Sequence, residues 1–449
     1  MKKLERRAIL CLFIAAALVA GLGIYIAEFI RDGDSWVTYA ANQHIYKDGN
    51  LKTGTIYDRN GVLLADNTSD GIIYNDDYSV RTATVHTVGD RNRSIANSAE
   101  SAFQDKLVGY NIITGVYSSG DRRLNLTVDA DLCVTANSAL AGRSGTVGVY
   151  NYETGDIICL VSSPNFDPLN PPAVSSDDTS GLYINRFLSS AIVPGSIFKL
   201  VTTAAVIDNL SGIDDFTYTC TGVSYYGNDR ITCPSAHGTM DFYGALANSC
   251  NCAYAQLSQD VGAHTLEEYV DKLELNKGAD VNGITTASGS FEFPDEATVN
   301  LSWAGIGQYK DLINPCSYLR FVGAIAGGGK TAEPRLISSV KGPLGFKHKY
   351  KSKTTDQLLS EETASQIKDM MKNNVEATYG ESNFPGLDIY AKSGTAEVGG
   401  GKAPNSWFTG FIDDPDHPYA FIVLVENGGS GSQVAGAVAN AVLQAAVKK

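Results

Sequence analysis

Residues Ala8 to Ala27 read AILCLFIAAALVAGLGIYIA, a run without a charge that comes after MKKLERR and its basic residues Lys2, Lys3, Arg6 and Arg7. About 20 apolar residues cross the hydrocarbon core of a bilayer as a helix, which satisfies its own backbone there. Basic residues at the start of such a run hold the N-terminus in the cytoplasm and place the downstream chain outside. A cleaved signal peptide is the other reading. Its apolar stretch is normally about 7–15 residues, shorter than this one, and the small residues of TYAA at 38–41 lie well past its end. The expected layout is a cytoplasmic tail at 1–7, a single-pass membrane anchor at 8–30 and an extracytoplasmic remainder.

With 449 residues the chain has room for two or three domains and a large core. Its net charge of −14 argues against a nucleic-acid partner, which would need a basic face. An exported chain can form disulfides. Of the eight cysteines, Cys11 lies in the apolar run, while Cys220 and Cys233, flanking YYGNDRIT, are the plausible pair. Cys250 and Cys252 are too close to bond each other comfortably. No C-x-x-C and no metal-ligand spacing stands out, and the six histidines, among them His44, His86 and His237, are scattered. The expectation is a chain with no metal and no cofactor.

Residues 31–50 are mixed and polar, as befits a juxtamembrane stretch. LKTGTIYDRNGVLLADN (51–67) reads as two strands around Arg59-Asn60-Gly61, since Asn-Gly favours hairpins. TATVHTV (82–88) alternates like a further strand, and SIANSAESAFQDKL looks helical. Residues 31–122 therefore read as a small β-rich module. A larger domain occupies 123–449. LNLTVDADLCVTANSAL is a strand running into a helix, and TVGVYNYETGDIICLVSS is an antiparallel hairpin turning at Glu153-Thr154-Gly155-Asp156. PNFDPLNPP is a proline-rich loop, and IFKLVTTAAVID has helical spacing. IYAKSGTAE, SWFTGFI and YAFIVLVEN are three successive strands, closed by the helix SQVAGAVANAVLQAAVKK. The fold class is α+β: one mixed, mainly antiparallel sheet flanked by helices.

Three stretches carry residues fit for chemistry. In VPGSIFKLV, Ser196 and Lys199 stand one helical turn apart, close enough for a lysine amine to take a proton from a serine hydroxyl. The pattern alone is cheap, because Ser338/Lys341 and Ser365/Lys368 match it too. Pro194-Gly195 break any preceding structure, so Ser196 falls at a helix N-terminus, where free N–H groups favour developing negative charge. Ser338 lies in strand-like LISSV and Ser365 in mid-helix. Ile197, Phe198 and Leu200 surround Lys199 with apolar groups that would lower its pKa; a helix cap with a solvated lysine is the plain alternative. In ALANSCNCAYAQL, Ser249 and Asn251 form S-x-N at the start of a helix, a hydroxyl to relay a proton and an amide to hold a substrate amide, though both residues commonly cap helices. In AKSGTAE, Lys392, Ser393, Gly394 and Thr395 lie on a strand, where Gly394 would admit a substrate backbone and Lys392 adds charge. By itself that is an ordinary surface strand.

In the order S-x-x-K, S-x-N, K-[ST]-G, separated by about 50 and 140 residues, the three form a specific constellation. The chain resembles a class B penicillin-binding protein, a membrane-anchored peptidoglycan D,D-transpeptidase. GTIYDRNGVLLA, LTVDADL, YETGDIICLVSSPNFDP, INRFLSSAIVPGSIFKLVT, SWAGIGQ, AIAGGG and SWFTGF…VLVENGG each look like a segment of that family. The resemblance implies a transpeptidase domain at 123–449 behind a short, non-catalytic pedestal at 31–122, with neither a glycosyltransferase domain nor C-terminal accessory repeats. It also implies that Ser196 attacks a D-Ala-D-Ala stem peptide, or a β-lactam antibiotic, with Lys199 as general base. Ser249 passes a proton to the leaving amine, Asn251 binds the substrate amide, Lys392 tunes the network, and Ser393 with Thr395 holds the carboxylate. A glycan polymerase of the SEDS type is the implied membrane partner. Cys250, at the variable centre of S-x-N, puts a thiol near the site with no role attached. A D,D-carboxypeptidase shares every motif and stays open, as does a β-lactam-binding scaffold or sensor. A serine β-lactamase needs a further water-activating base, for which no carboxylate motif is found.

Overall fold

The computed structural model describes residues 2–38, 54–68, 70–108, 110–111, 115–116, 122–173, 175, 177–294, 298–342 and 346–448. Lys2–Thr38 form one helix, α1. Within it Lys3–Phe29 is long and apolar enough to cross a membrane, and none of that segment is buried against the protein. The helix runs past residue 30, so the first part of the polar stretch at 31–50 is helical; residues 39–53, with the rest of that stretch and most of TYAA, lie outside the described residues.

The hairpin around Asn60-Gly61 forms between strands Thr55–Tyr57 and Leu63–Thr68. Asp58 makes the turn: its Oδ1 accepts the backbone N–H groups of Asn60 (2.8 Å) and Val62 (2.7 Å), and its Oδ2 accepts that of Ala130 (3.1 Å). TATVHTV is not a strand. Residues Tyr78–Ala83 and Val85–Val88 are short helices, with Asp77 capping the first and the Thr82 and Thr84 hydroxyls donating to carbonyls four residues back. All of 82–88 is buried, so the alternation in the sequence marks no wet and dry face. The hairpin belongs to a six-stranded sheet in the order Lys347–Lys349, Ile337–Lys341, Arg123–Leu126, Thr55–Tyr57, Leu63–Thr68, Gly71–Tyr74. That sheet takes strands from both sides of residue 122, so the residues before and after that position share one sheet. Ser338 sits in it, with its hydroxyl donated to the Asn125 carbonyl.

The larger domain is built on a five-stranded, wholly antiparallel sheet. Helix α2 (Ala130–Leu140), capped by the Asp129 carboxylate, precedes strands β1 (Gly145–Asn151) and β2 (Ile157–Ser163). Helices α3 (Lys199–Asn209), α4 (Asn251–Val261), α5 (Pro315–Ala326) and α6 (Glu361–Asn374) come next. Strands β3 (Ile389–Ala396), β4 (Asn405–Ile412) and β5 (Tyr419–Val425) and helix α7 (Gly436–Ala446) close the chain. The sheet order is β3-β4-β5-β1-β2, so the C-terminal strand triplet is zipped to the earlier hairpin through β5 and β1. Helices α2 and α7 pack together on one face; α5 and α6 cover the other, with α3 and α4 beyond them. Strands β4 and β5 are buried almost end to end (Trp407, Phe408, Phe411, Phe421, Ile422, Val423, Leu424), as expected for a sheet covered on both faces. This is the α+β, mainly antiparallel arrangement that the order of strand-like and helical runs implies. Strand β3 lies at the sheet edge and carries Lys392 to Thr395 along the functional cleft.

Candidate active site

Ser196 does not open an α-helix. Gly195–Phe198 form one 3₁₀ turn, and α3 begins at Lys199. The cause is Gly195, in the left-handed region at φ 55°, whose N–H donates to the Gly307 carbonyl (2.8 Å) and winds the chain tightly ahead of the helix. At three residues per turn, positions 196 and 199 stack on one face, so the S-x-x-K spacing suits this turn. Carbonyls in and just before it are held from outside: Trp407 Nε1 donates to Val193 (2.9 Å) and the Tyr318 hydroxyl to Ile197 (2.6 Å).

Lys199 is fully buried, and neutral oxygens surround its amine. Nζ donates to the Ser249 carbonyl (2.7 Å), the Ser249 hydroxyl (3.2 Å) and Asn251 Oδ1 (2.8 Å). The Tyr254 ring lies 5.5 Å from the same nitrogen, and its hydroxyl pairs with Thr203 (2.6 Å), one turn along α3. Ser249 is in the left-handed region, φ 49°, and Cys250 caps α4. Lys392, also fully buried, reaches the same hydroxyl from β3: its Nζ donates to Ser249 Oγ (3.1 Å) and to the Ser393 carbonyl (2.7 Å). Two lysines thus meet on one serine. Removal from water disfavours a charged ammonium. Burial therefore brings Lys199 down to about 8. Lys392 lies well below its usual range, first through burial and then through the charge of Lys199.

Ser196, Ser249, Asn251, Ser393 and Thr395 line one cleft of about 380 Å³, with Trp303, Gln308, His237 and Glu397. Lys199, Lys392 and Gly394 are buried, and the two lysines connect to the cleft through their hydrogen bonds to Ser249 and Asn251. All eight sequence-predicted residues therefore come together, whereas Ser338 and Ser365 lie on other elements. Size does not mark this site: a cavity of about 480 Å³ lined by Lys106, Arg335 and Lys349 lies elsewhere. Gly394 serves a packing role that its sequence reading did not include. A Cβ there would meet Ile197 Cγ2 at 3.0 Å and the Pro194 carbonyl at 3.1 Å, so the bare backbone admits the Ser196 turn itself against β3. Sequence reading gave no place to Tyr254, Trp407, Tyr318, Trp303 or Gln308; SWAGIGQ was the one available signal for the last two.

Residues 145–444 match the family described as the penicillin binding protein transpeptidase domain. The chain belongs to that family. Among its relatives, the peptidoglycan D,D-transpeptidase PbpA of Mycobacterium tuberculosis is 26% identical over 347 residues, which span 68% of this chain and 67% of the relative. Stage V sporulation protein D of Bacillus subtilis is 27% identical over 304 residues, 64% of this chain and 46% of its own length. The structure is similar to the penicillin G acyl-enzyme complex of M. tuberculosis penicillin-binding protein A (TM-score 0.77, 22% identity, 88% of this chain and 99% of that one). It is also similar to Pseudomonas aeruginosa PBP2 (TM-score 0.71, 22% identity, 88% and 96%).

The contact at Gly394 yields a test. Gly394→Ala should push the Ser196 turn off β3 and slow acylation by labelled penicillin about tenfold to a hundredfold, because small misplacements at a reacting centre cost that much. Circular dichroism and the thermal midpoint should show the fold retained. An unchanged acylation rate would refute the packing account.

Proposed function

We propose that this chain is a membrane-anchored peptidoglycan D,D-transpeptidase that works through an acyl-enzyme on Ser196. The observation that carries the reading is the meeting of two buried lysines on the Ser249 hydroxyl, in the cleft that Ser196 lines. In this mechanism Ser196 Oγ attacks the carbonyl carbon between the two D-alanines and gives its proton to the neutral amine of Lys199. The tetrahedral oxyanion is held by the backbone N–H groups of Ser196 and Thr395; losing one such donor typically costs about 3–4 kcal/mol. Collapse breaks the C–N bond, and the departing D-alanine amine receives a proton through Ser249. Lys392 holds Ser249 in place, Asn251 orients the substrate amide, and Ser393 and Thr395 bind the terminal carboxylate. A second stem's amine then attacks the ester, which forms the cross-link and frees Ser196. The edge position of β3 suits an extended stem peptide laid along it. β-Lactams would acylate the same serine.

The basic residues ahead of the apolar helix favour a cytoplasmic N-terminus and an extracytoplasmic catalytic domain. On family resemblance the proposal extends to a SEDS-type glycan polymerase bound through the anchor and the membrane-proximal module. Pull-down of the tagged full chain from detergent-solubilised membranes should bring it along, and a pull-down without it would count against this partner.

Given a pentapeptide donor and an amine acceptor, the full chain should release D-alanine and form a dimer, and Ser196→Ala should do neither. Release of D-alanine without any dimer would make the enzyme a hydrolytic carboxypeptidase instead. Lys199 must be neutral to act as base. With its pKa lowered to about 8, the neutral fraction grows as pH rises through that value. The acylation rate should therefore climb between roughly pH 7 and 9, and a flat or falling profile there would exclude Lys199 as the base.

A further inference from the structure

The cysteines that look scattered in the sequence gather beside the cleft. One sulfur each from Cys220, Cys233 and Cys250 and one ring nitrogen of His237 all lie within 4.8 Å of one another. The three cysteines are free thiols, so Cys220 and Cys233, the plausible pair in the sequence, belong to a larger cluster. The Cys233 and Cys250 sulfurs are 3.8 Å apart, close to the spacing of two thiolates on one tetrahedral zinc with bonds of about 2.3 Å.

Each sulfur also receives a backbone N–H: Gly222 donates to Cys220 (3.4 Å), Cys252 to Cys233 (3.5 Å) and Ala253 to Cys250 (3.4 Å). Metal-bound thiolates need such donors around them. Cys252 stands just outside: its sulfur accepts from the Cys233 thiol (3.6 Å) and its own thiol donates to the Ile231 carbonyl (3.8 Å). His237 Nδ1 is buried with no hydrogen-bond partner among the described residues.

The surrounding fold needs a staple. Residues 217–241 form two separate two-stranded ladders, Thr217–Cys220 with Gly238–Asp241 and Val223–Tyr226 with Asp229–Thr232. Their buried apolar residues are Cys220, Ile231 and Met240. Isolated two-stranded ladders are marginal in water, and small elements without a core are commonly held by metals.

We propose that Cys220, Cys233, His237 and Cys250 bind one Zn²⁺ tetrahedrally and so clamp this flap to the S-x-N turn. Three thiolates and an imidazole suit zinc, and their protons leave on binding. The clamp reaches the catalytic residues directly through the chain. Cys250 sits between Ser249 and Asn251, and the Thr232 carbonyl next to Cys233 accepts from Asn251 Nδ2 (2.9 Å). The four residues are positioning groups: they would fix the left-handed Ser249 and the amide of Asn251 that receive Lys199. This coupling rests on the catalytic reading above, whereas metal binding does not.

The test uses the full chain, extracted in detergent without added reductant or chelator. Elemental analysis should find one zinc per chain. Cobalt exchanged into the protein should give tetrahedral d–d bands and thiolate-to-cobalt charge-transfer absorption. His237→Ala, on a partly exposed side chain, should weaken zinc retention and alter those bands. Stripping zinc with a strong chelator should slow acylation by labelled penicillin at least about tenfold, and added zinc should restore it. Metal-free protein with four unmodified residues, or a Cys233–Cys250 disulfide in chain taken from membranes, would overturn the site. Zinc bound with unchanged acylation on stripping would overturn the coupling alone.

Discussion

Two lysine amines meeting on one hydroxyl is the interaction on which the rest of this structure depends. Lys199 and Lys392 come from elements nearly two hundred positions apart, and neither forms an ion pair with a carboxylate among the described residues. Neutral oxygens do the holding: two backbone carbonyls, one amide and Ser249 Oγ. Such a site keeps the lysines near neutrality. A salt bridge would have stabilised the charged form and left no base. Much of the surrounding architecture serves this one point. β3 must lie at the sheet edge, α6 must hold it there through Asn374 and the Ala391 carbonyl (3.0 Å), and S-x-N must turn through a left-handed serine.

The site was legible in the sequence because each motif pairs a chemical type with a fixed local spacing. A serine and a lysine three apart, or a serine and an asparagine two apart, survive any detail of tertiary packing. Their meeting was an inference from order and separation, and the fold satisfies it for all eight residues. Long-range support was not legible. Trp407 reaches Val193 and Tyr318 reaches Ile197 across more than a hundred positions, with no periodicity to announce them. At Gly394 the sequence did not show the second demand on the missing side chain, since only the packed structure places Ile197 against that position.

The α+β class came from strands whose patterns are continuous and apolar, as in SWFTGFI and YAFIVLV. TATVHTV failed because alternation identifies a strand only when one face is wet, and that segment is buried on every side. The six-stranded sheet was equally hidden, since it recruits Ile337–Lys341 from far along the chain. The cysteine cluster escaped for a related reason. Its members stand 13, 4 and 13 positions apart, unlike the short paired spacings of common zinc modules. Two antiparallel ladders bring them together.

The proposed mechanism makes Ser196 the acylated residue, served by Lys199, Ser249 and Lys392. The most direct measurement is the intact mass of the chain after incubation with penicillin, together with mapping of the modified peptide. One adduct per chain is expected, on the peptide that contains Ser196. An adduct on Ser338 or Ser365, or none at all on folded protein, would contradict that role.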